Sequence, residues 1–253
     1  MRLTHLSHVI CTHQSSPTLT FTGPRGELFQ LTVLNHDLLR IQHFPDGQSR
    51  LDRTWMVVDQ SGDVPREGRP RADLSPFPLP VFDVLNNEQN IRLQTSQLQV
   101  EINLNPLFLR WSDVTGREFA ADLPTRAYAY DRAGRAVFHQ MCRRDDEHYY
   151  GFGERSGPLD KRGQRMRMLN LDALGYNAET GDPLYKHFPF YITFVPSLDI
   201  AYGLFYDNLA ATTFDMGQEI DAYHGLFRTY QADDGDLDCY LIYGPTIREV
   251  VEK

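Results

Sequence analysis

The sequence predicts an all-β fold, a sandwich or a barrel. Two observations carry that prediction: apolar and polar residues alternate with a period of two over many short runs, and polar turn clusters separate the runs. No internal repeat or coiled-coil heptad competes with this pattern. The length of 253 residues suits one large all-β domain or two small ones, and 41% hydrophobic residues are ample for a packed core.

The elements follow in order along the chain. Gln30 to Leu34 and Leu38 to Phe44 flank the turn residues Asn35, His36 and Asp37, which reads as a hairpin. Ile91, Leu93 and Thr95 alternate with Arg92 and Gln94, while Leu98, Val100 and Ile102 alternate with Gln99, Glu101 and Asn103. These two runs meet at Ser96–Gln97, a second hairpin. Further strands are predicted at Phe108–Trp111, Ala127–Tyr130, Val137–Met141, Phe188–Val195, Ile200–Tyr206, Ala211–Phe214, Leu226–Tyr230 and Leu237–Ile242. Ser61 to Pro80 carries five prolines and little apolar periodicity, and reads as an irregular surface loop. Tyr149 to Thr193 is dense in Gly, Tyr, Phe and Asp, which marks a long functional loop that returns into a strand at its end. Near the C-terminus Gly244–Pro245 stops the last strand, and Thr246 with Glu249 forms a capping-box pattern ahead of Val250 and Val251. A helix this short is marginal alone, so the next domain is expected to begin here.

The formal charge is −9, from 25 Lys and Arg against 34 Asp and Glu. Such a surface repels phosphate backbones and anionic bilayers, so neither nucleic acid nor a membrane is expected as partner, and a neutral or small substrate fits better. Cys11, Cys142 and Cys239 do not form a disulfide framework. The N-terminal residues lack an apolar run long enough for a signal peptide, and no segment approaches the ~20 apolar residues of a membrane span. A soluble, cytoplasmic protein is the expectation.

Several constellations invite a chemical reading. Gly151, Gly153 and Gly157 have the wrong spacing for a dinucleotide loop and no apolar-periodic helix follows them. His5, His8, Cys11 and His13 read as a frayed terminal segment rather than a zinc cluster. Asp233, Asp234, Asp236 and Asp238 read as a solvated hairpin turn rather than a calcium loop, and Asp145-Asp146-Glu147 as a solvated charge run. Asp172 lies in the apolar context LNLDALGYN, where an aspartate is either a local backbone cap or a placed ligand for hydroxyls. Tyr150, Phe152, Tyr185, Phe188, Phe190 and Tyr191 are either a sugar-stacking platform or core.

Taken together, YYGFGER, GPLDKRG, LNLDALGY and DPLYKHFPFYIT, in this order and spacing, resemble glycoside hydrolase family 31, the family of α-glucosidases and α-xylosidases. The matching residues are Tyr150-Gly151-Phe152-Gly153-Glu154, then Asn170-Leu171-Asp172, then Tyr185 to Tyr191. The ending YGPTIREVVEK is similar to the family's passage into its catalytic barrel, whereas residues 1 to 140 match only in strand rhythm. The resemblance implies a galactose-mutarotase-like β-sandwich (supersandwich) over residues 1–243, with a loop at 151–187 that reaches an active site. Residues 244–253 would then start the connection to a (β/α)₈ barrel absent from this chain. It implies a retaining α-glycosidase, most readily an α-glucosidase, whose two catalytic carboxylates lie on that barrel. No residue of this chain is then catalytic. Asp172, Asn170 and Tyr185 contact an α-linked glucoside or related oligosaccharide, and no cofactor or metal is involved. Two positions depart from the family: Leu169 stands where a Trp is usual, and Leu171 where many relatives have Arg. A more apolar leaving-group subsite follows. A stand-alone sugar epimerase and a carbohydrate-binding module are the alternatives, the first needing a general acid and base of its own.

Overall fold

The structure is a computed structural model and describes residues 2–87, 89–220 and 223–253. Strands β1 (Leu3–His5), β2 (Ile10–Ser15), β3 (Thr18–Thr22), β4 (Leu28–Asn35) and β5 (Leu38–Phe44) open the chain. The two-residue strands β6 (Arg53–Thr54) and β7 (Arg69–Pro70) follow, then the meander β8 (Asp83–Asn86), β9 (Asn90–Gln94), β10 (Leu98–Leu104), β11 (Leu107–Asp113) and β12 (Glu118–Ala121). Next come β13 (Tyr128–Asp131), β14 (Val137–Cys142), β15 (His148–Gly153), β16 (Arg165–Met168), β17 (His187–Val195) and β18 (Ile200–Tyr206). The chain finishes with β19 (Thr212–Asp215), β20 (Phe227–Ala232), β21 (Leu237–Gly244) and the helix α1 (Ile247–Glu252).

An eight-stranded sheet, β15-β17-β18-β21-β5-β4-β3-β2, forms one layer. The other layer is a six-stranded sheet, β1-β13-β14-β20-β19-β16, and a five-stranded sheet, β12-β11-β10-β9-β8, joined by a bridge between Asp122 and Met141. Period-two alternation builds the interface between layers. Phe29, Leu31 and Val33 of β4 are fully buried, and Gln30 and Thr32 turn to the opposite face. Aromatic side chains span the gap: Phe29 meets Tyr128 with ring centroids 4.8 Å apart, and Tyr206 stacks on Tyr230 at 3.9 Å. Each fully buried large apolar side chain contributes about 1.5–3 kcal/mol relative to exposure. The architecture is the galactose-mutarotase-like β-sandwich that the resemblance implied. Among the described residues no helix is long and apolar enough to cross a membrane.

Four expectations are corrected. The N-terminus is not frayed: His5 ends β1 in the six-stranded sheet, while Cys11 and His13 lie on β2 in the eight-stranded one. The segment 61–80 is more than a surface loop, because it includes β7 and buries Arg69 and Arg71. Neither Asp236 nor Asp238 is in a solvated turn: Asp236 is buried and accepts from Arg50 N at 2.7 Å, and burial is deeper still at Asp238. Arg40 grips its carboxylate with Nε (2.7 Å) and Nη2 (2.6 Å), and Arg71 Nη1 adds a third bond at 2.7 Å. Glu147 is likewise buried, accepting from Arg228 Nη1 at 2.6 Å and from the Tyr149 hydroxyl at 2.5 Å. Asp238 pairs with Gln42 on the outward phase of β21 and is buried because the segment between β5 and β8 covers that face. At the other end the capping box forms: Glu249 N donates to Thr246 Oγ1 (3.2 Å) and Thr246 N to the Glu249 carboxylate (3.0 Å). Helix α1 buries Val250 against Ile192 and Ala201.

Two stability predictions follow from these buried groups. Asp238→Asn leaves two buried guanidiniums short of a countercharge, and is expected to cost about 3–5 kcal/mol, measured by urea unfolding. His43 is fully buried beside Tyr128 and Tyr130, and neither ring nitrogen has a partner among the described residues. Burial holds it neutral, pushing its pKa down to about 4 against the pull of Glu27. The unfolded chain takes this proton near the ordinary histidine value of ~6.5 and so binds more protons between the two values. Stability contributed by neutral His43 is therefore complete above that window and is lost as pH falls through it, by about 3 kcal/mol in the limit. His43→Phe is expected to flatten this loss, seen by comparing urea midpoints at neutral and mildly acid pH.

Candidate functional site

Strands β15 and β17 pair from His148↔Phe194 to Gly153↔His187, with a bulge between Gly151 and Gly153. Gly153 has φ +77°, and a Cβ there would lie 2.8 Å from the Phe188 amide nitrogen. The close approach of the two backbones therefore requires glycine. The excursion between these strands leaves and returns at one point: Glu154 N donates to Lys186 O at 2.9 Å, and Lys186 N to the Glu154 carboxylate at 3.1 Å. Residues 151–187 are thus not one continuous loop. They begin in β15 and deliver β16, which pairs with β19 in the opposite layer.

Beyond β16 the chain forms an arm, residues 169–186, pinned at its base. Arg155 donates to Arg167 O at 2.8 Å and pairs with Asp182, whose other oxygen accepts from Arg167 N at 3.0 Å. Burial lowers the Arg155 pKa, and the Asp182 charge opposes that shift. Asn177 Oδ1 accepts from Glu179 N (2.8 Å) and Thr180 N (3.0 Å), and Leu184 is buried. Local backbone capping in the arm is thus performed by Asn177.

The tip, residues 169–176, is exposed. Asn170 and Asp172 both face solvent, as do Leu169, Leu171, Leu174 and Tyr176. Among the described residues the Asp172 carboxylate has no hydrogen-bond partner; the Asp172 carbonyl accepts from Leu174 N at 2.9 Å. Tyr185 lies half exposed, with its hydroxyl 3.5 Å from Ala173 O. Asn170 lines a groove of about 700 Å³ together with Trp55, Met56, Phe188, Phe205 and Leu209, a wall to which Asp172 and Tyr185 do not belong. His187 is the groove's one titratable side chain among the described residues, and burial followed by the Arg155 charge lowers its pKa. No described carboxylate lines the groove. The six aromatics divide. Phe152 and Tyr191 stack in the core with centroids 4.9 Å apart, whereas Tyr185 and Phe188 are exposed. Trp55 and Met56, which arrive from the segment between β6 and β7, carry no sequence signal that marks them as groove residues.

The comparisons with known proteins agree with this architecture. Residues 28–215 match the glycosyl hydrolase 31 N-terminal galactose mutarotase-like domain. The chain is 31% identical over 227 residues to alpha-glucosidase 2 of Bacillus thermoamyloliquefaciens, covering 89% of the chain and 26% of that protein. It is 29% identical over 172 residues to alpha-xylosidase XylQ of Lactiplantibacillus pentosus, covering 66% of the chain and 21% of that protein. In fold it is similar to the family 31 dextranase of Flavobacterium johnsoniae solved with glucose, with a TM-score of 0.81 and 22% identity over 98% of the chain and 28% of that structure. The chain belongs to the N-terminal galactose mutarotase-like domain family of glycoside hydrolase family 31. It spans about a quarter of the length of the alpha-glucosidase it matches.

Arg155→Ala is expected to free the arm without unfolding the sandwich. Limited proteolysis should then cut within residues 169–181 several-fold faster, while the global urea midpoint moves little.

Proposed function

We propose that this chain is the non-catalytic N-terminal sandwich of a retaining α-glycosidase, most readily an α-glucosidase, and that the arm tip completes the substrate site of the whole enzyme. In this reading residues 1–243 are the sandwich and residues 244–253 begin the connection to a catalytic barrel. Asp172 accepts hydrogen bonds from sugar hydroxyls, Asn170 orients the ligand beside the groove, and Tyr185 backs the tip. Bond cleavage falls to two carboxylates of the barrel. One observation carries the reading: Asp172 presents a carboxylate without a partner among the described residues, at the tip of an arm that is otherwise pinned to both layers. A flexible, solvated loop would have no reason for such anchoring. The names of the relatives, an α-glucosidase and an α-xylosidase, support an α-linked sugar as substrate.

The test is Asp172→Ala in the full-length enzyme. A lost hydroxyl contact is expected to lower kcat/KM on α-glucosides by about 1–3 kcal/mol of transition-state stabilisation. An unchanged kcat/KM removes the role assigned to Asp172.

A further inference from the structure

The outward face of the eight-stranded sheet carries a second recess, far in sequence from the arm. Its volume is about 280 Å³, and its floor is Thr18 of β3, Gln30 and Thr32 of β4, and Arg40 and Gln42 of β5. The segment between β5 and β8 roofs it, supplying Arg71. Thr32, Arg40, Gln42 and Arg71 are nearly inaccessible to solvent except through this recess. We propose that the recess is a binding site for one neutral cyclic polyol, a single sugar ring, separate from the arm tip and independent of the function proposed for Asp172.

The chemistry of the lining excludes the other ligand classes in turn. Both guanidiniums are already committed: Arg40 to Asp238 and to Arg71 O (2.8 Å), Arg71 to Asp238 and to Asp207 O (2.7 Å). Asp238 and Asp207 balance their charge, and Asp52 adds a further acid to the lining, so an anion gains no unpaired cation here. Among the described residues a cation finds Asp52 as its one free carboxylate in the lining, because Asp238 and Asp207 are taken up by the guanidiniums. An apolar guest would strip water from two amides and two hydroxyls without replacing their hydrogen bonds. A ligand with several hydroxyls satisfies them. The Gln42 amide makes only one long contact, Nε2 to Asp238 Oδ2 at 3.4 Å, and its oxygen has no partner among the described residues. Gln30 Nε2 lies 3.4 Å from Thr20 Oγ1, also a long contact, and Thr18 and Thr32 share one bond at 2.9 Å. Each of these groups retains capacity for a hydroxyl partner. Phe44, buried and lining the same recess, offers an apolar surface to the C–H face of a ring. Because the backbone of the sheet and the Asp238 clamp hold these groups in place, little ordering opposes binding.

The experiment is a titration of the 253-residue chain with methyl α-D-glucopyranoside, read by NMR at the side-chain amides, with inorganic phosphate as the anionic control. Saturable shifts at Gln30 and Gln42 in the millimolar range are expected. Gln42→Met, which keeps the shape and removes the amide, should weaken binding about tenfold, while Asp172→Ala leaves it unchanged. Should Gln42→Met fail to fold, Gln30→Ala at the half-buried edge reads the same loss. No saturable shift, shifts confined to residues 151–187, or tighter binding of phosphate than of the sugar would overturn the proposal.

Discussion

The carboxylate of Asp238, clamped by Arg40 and Arg71, is the interaction on which the working surfaces of this domain depend. It joins β21 and β5 to the proline-rich segment that crosses the outer face of the large sheet. Burial alone would raise the Asp238 pKa, but the charge of Arg40 and then of Arg71 holds it below the usual carboxylate value. The acid therefore stays ionised and the clamp stays closed. Arg71 extends the same network to Asp207 at the end of β18, and Asp207 is adjacent to Asn208 and Leu209 of the apolar groove. One buried charge cluster thus sets the height of the roof over two different openings, one polar and one apolar.

The roof also delivers Trp55. Its indole nitrogen donates to Arg66 O at 3.2 Å, and its ring lies against Gly68, where a Cβ would come within 2.7 Å. Gly68 has φ +77°, so both the backbone conformation and the ring contact demand a residue without a side chain. The groove wall is consequently a rigid construction of sheet and roof. The arm is held in the same manner, by ion pairing at its base rather than by packing along its length. Rigid scaffold and exposed tip are the combination that lets a loop place a few polar atoms accurately.

Much of this fold was legible in the sequence. Period-two runs located β9 and β10, because a half-buried strand must alternate, and apolar runs between turn residues located β4, β5, β17, β18 and β21 of the large sheet, whereas β2, β3 and β15 were not predicted. The motif residues Tyr150 to Glu154, Asn170 to Asp172 and Tyr185 to Tyr191 located the arm. The charge clusters were not legible. Arg40 and Asp238 lie 198 residues apart, and nothing local distinguishes Asp238 from the exposed Asp233 and Asp234 beside it. Asp238 points to the outward face of its sheet, and it is buried only because the distant segment carrying Arg71 crosses that face, which no local pattern reveals. The short strands β6, β7 and β16 were missed for a related reason: two to four residues cannot display a period. Gly151 and Gly153 signalled a turn, and the structure makes them a bulge within β15.

Asp172 shows how the two kinds of reading meet. Its apolar neighbours left open a cap or a ligand, and in the structure Asn177 performs the capping, which leaves the Asp172 carboxylate without a local duty. The leucines on either side now acquire a physical consequence. Leu169 and Leu171 expose apolar surface next to Asn170, beside a groove walled by Trp55, Met56, Phe188 and Leu209. In the proposed enzyme a sugar held at Asp172 would have its reducing-end substituent against this wall. Desolvation there favours an apolar substituent, at about 25 cal/mol for each Å² of apolar surface removed from water, whereas a second hydroxylated ring would lose water without finding polar partners. In the proposed enzyme, leucines at 169 and 171 would make recognition at this position depend on apolar area more than on directed contacts.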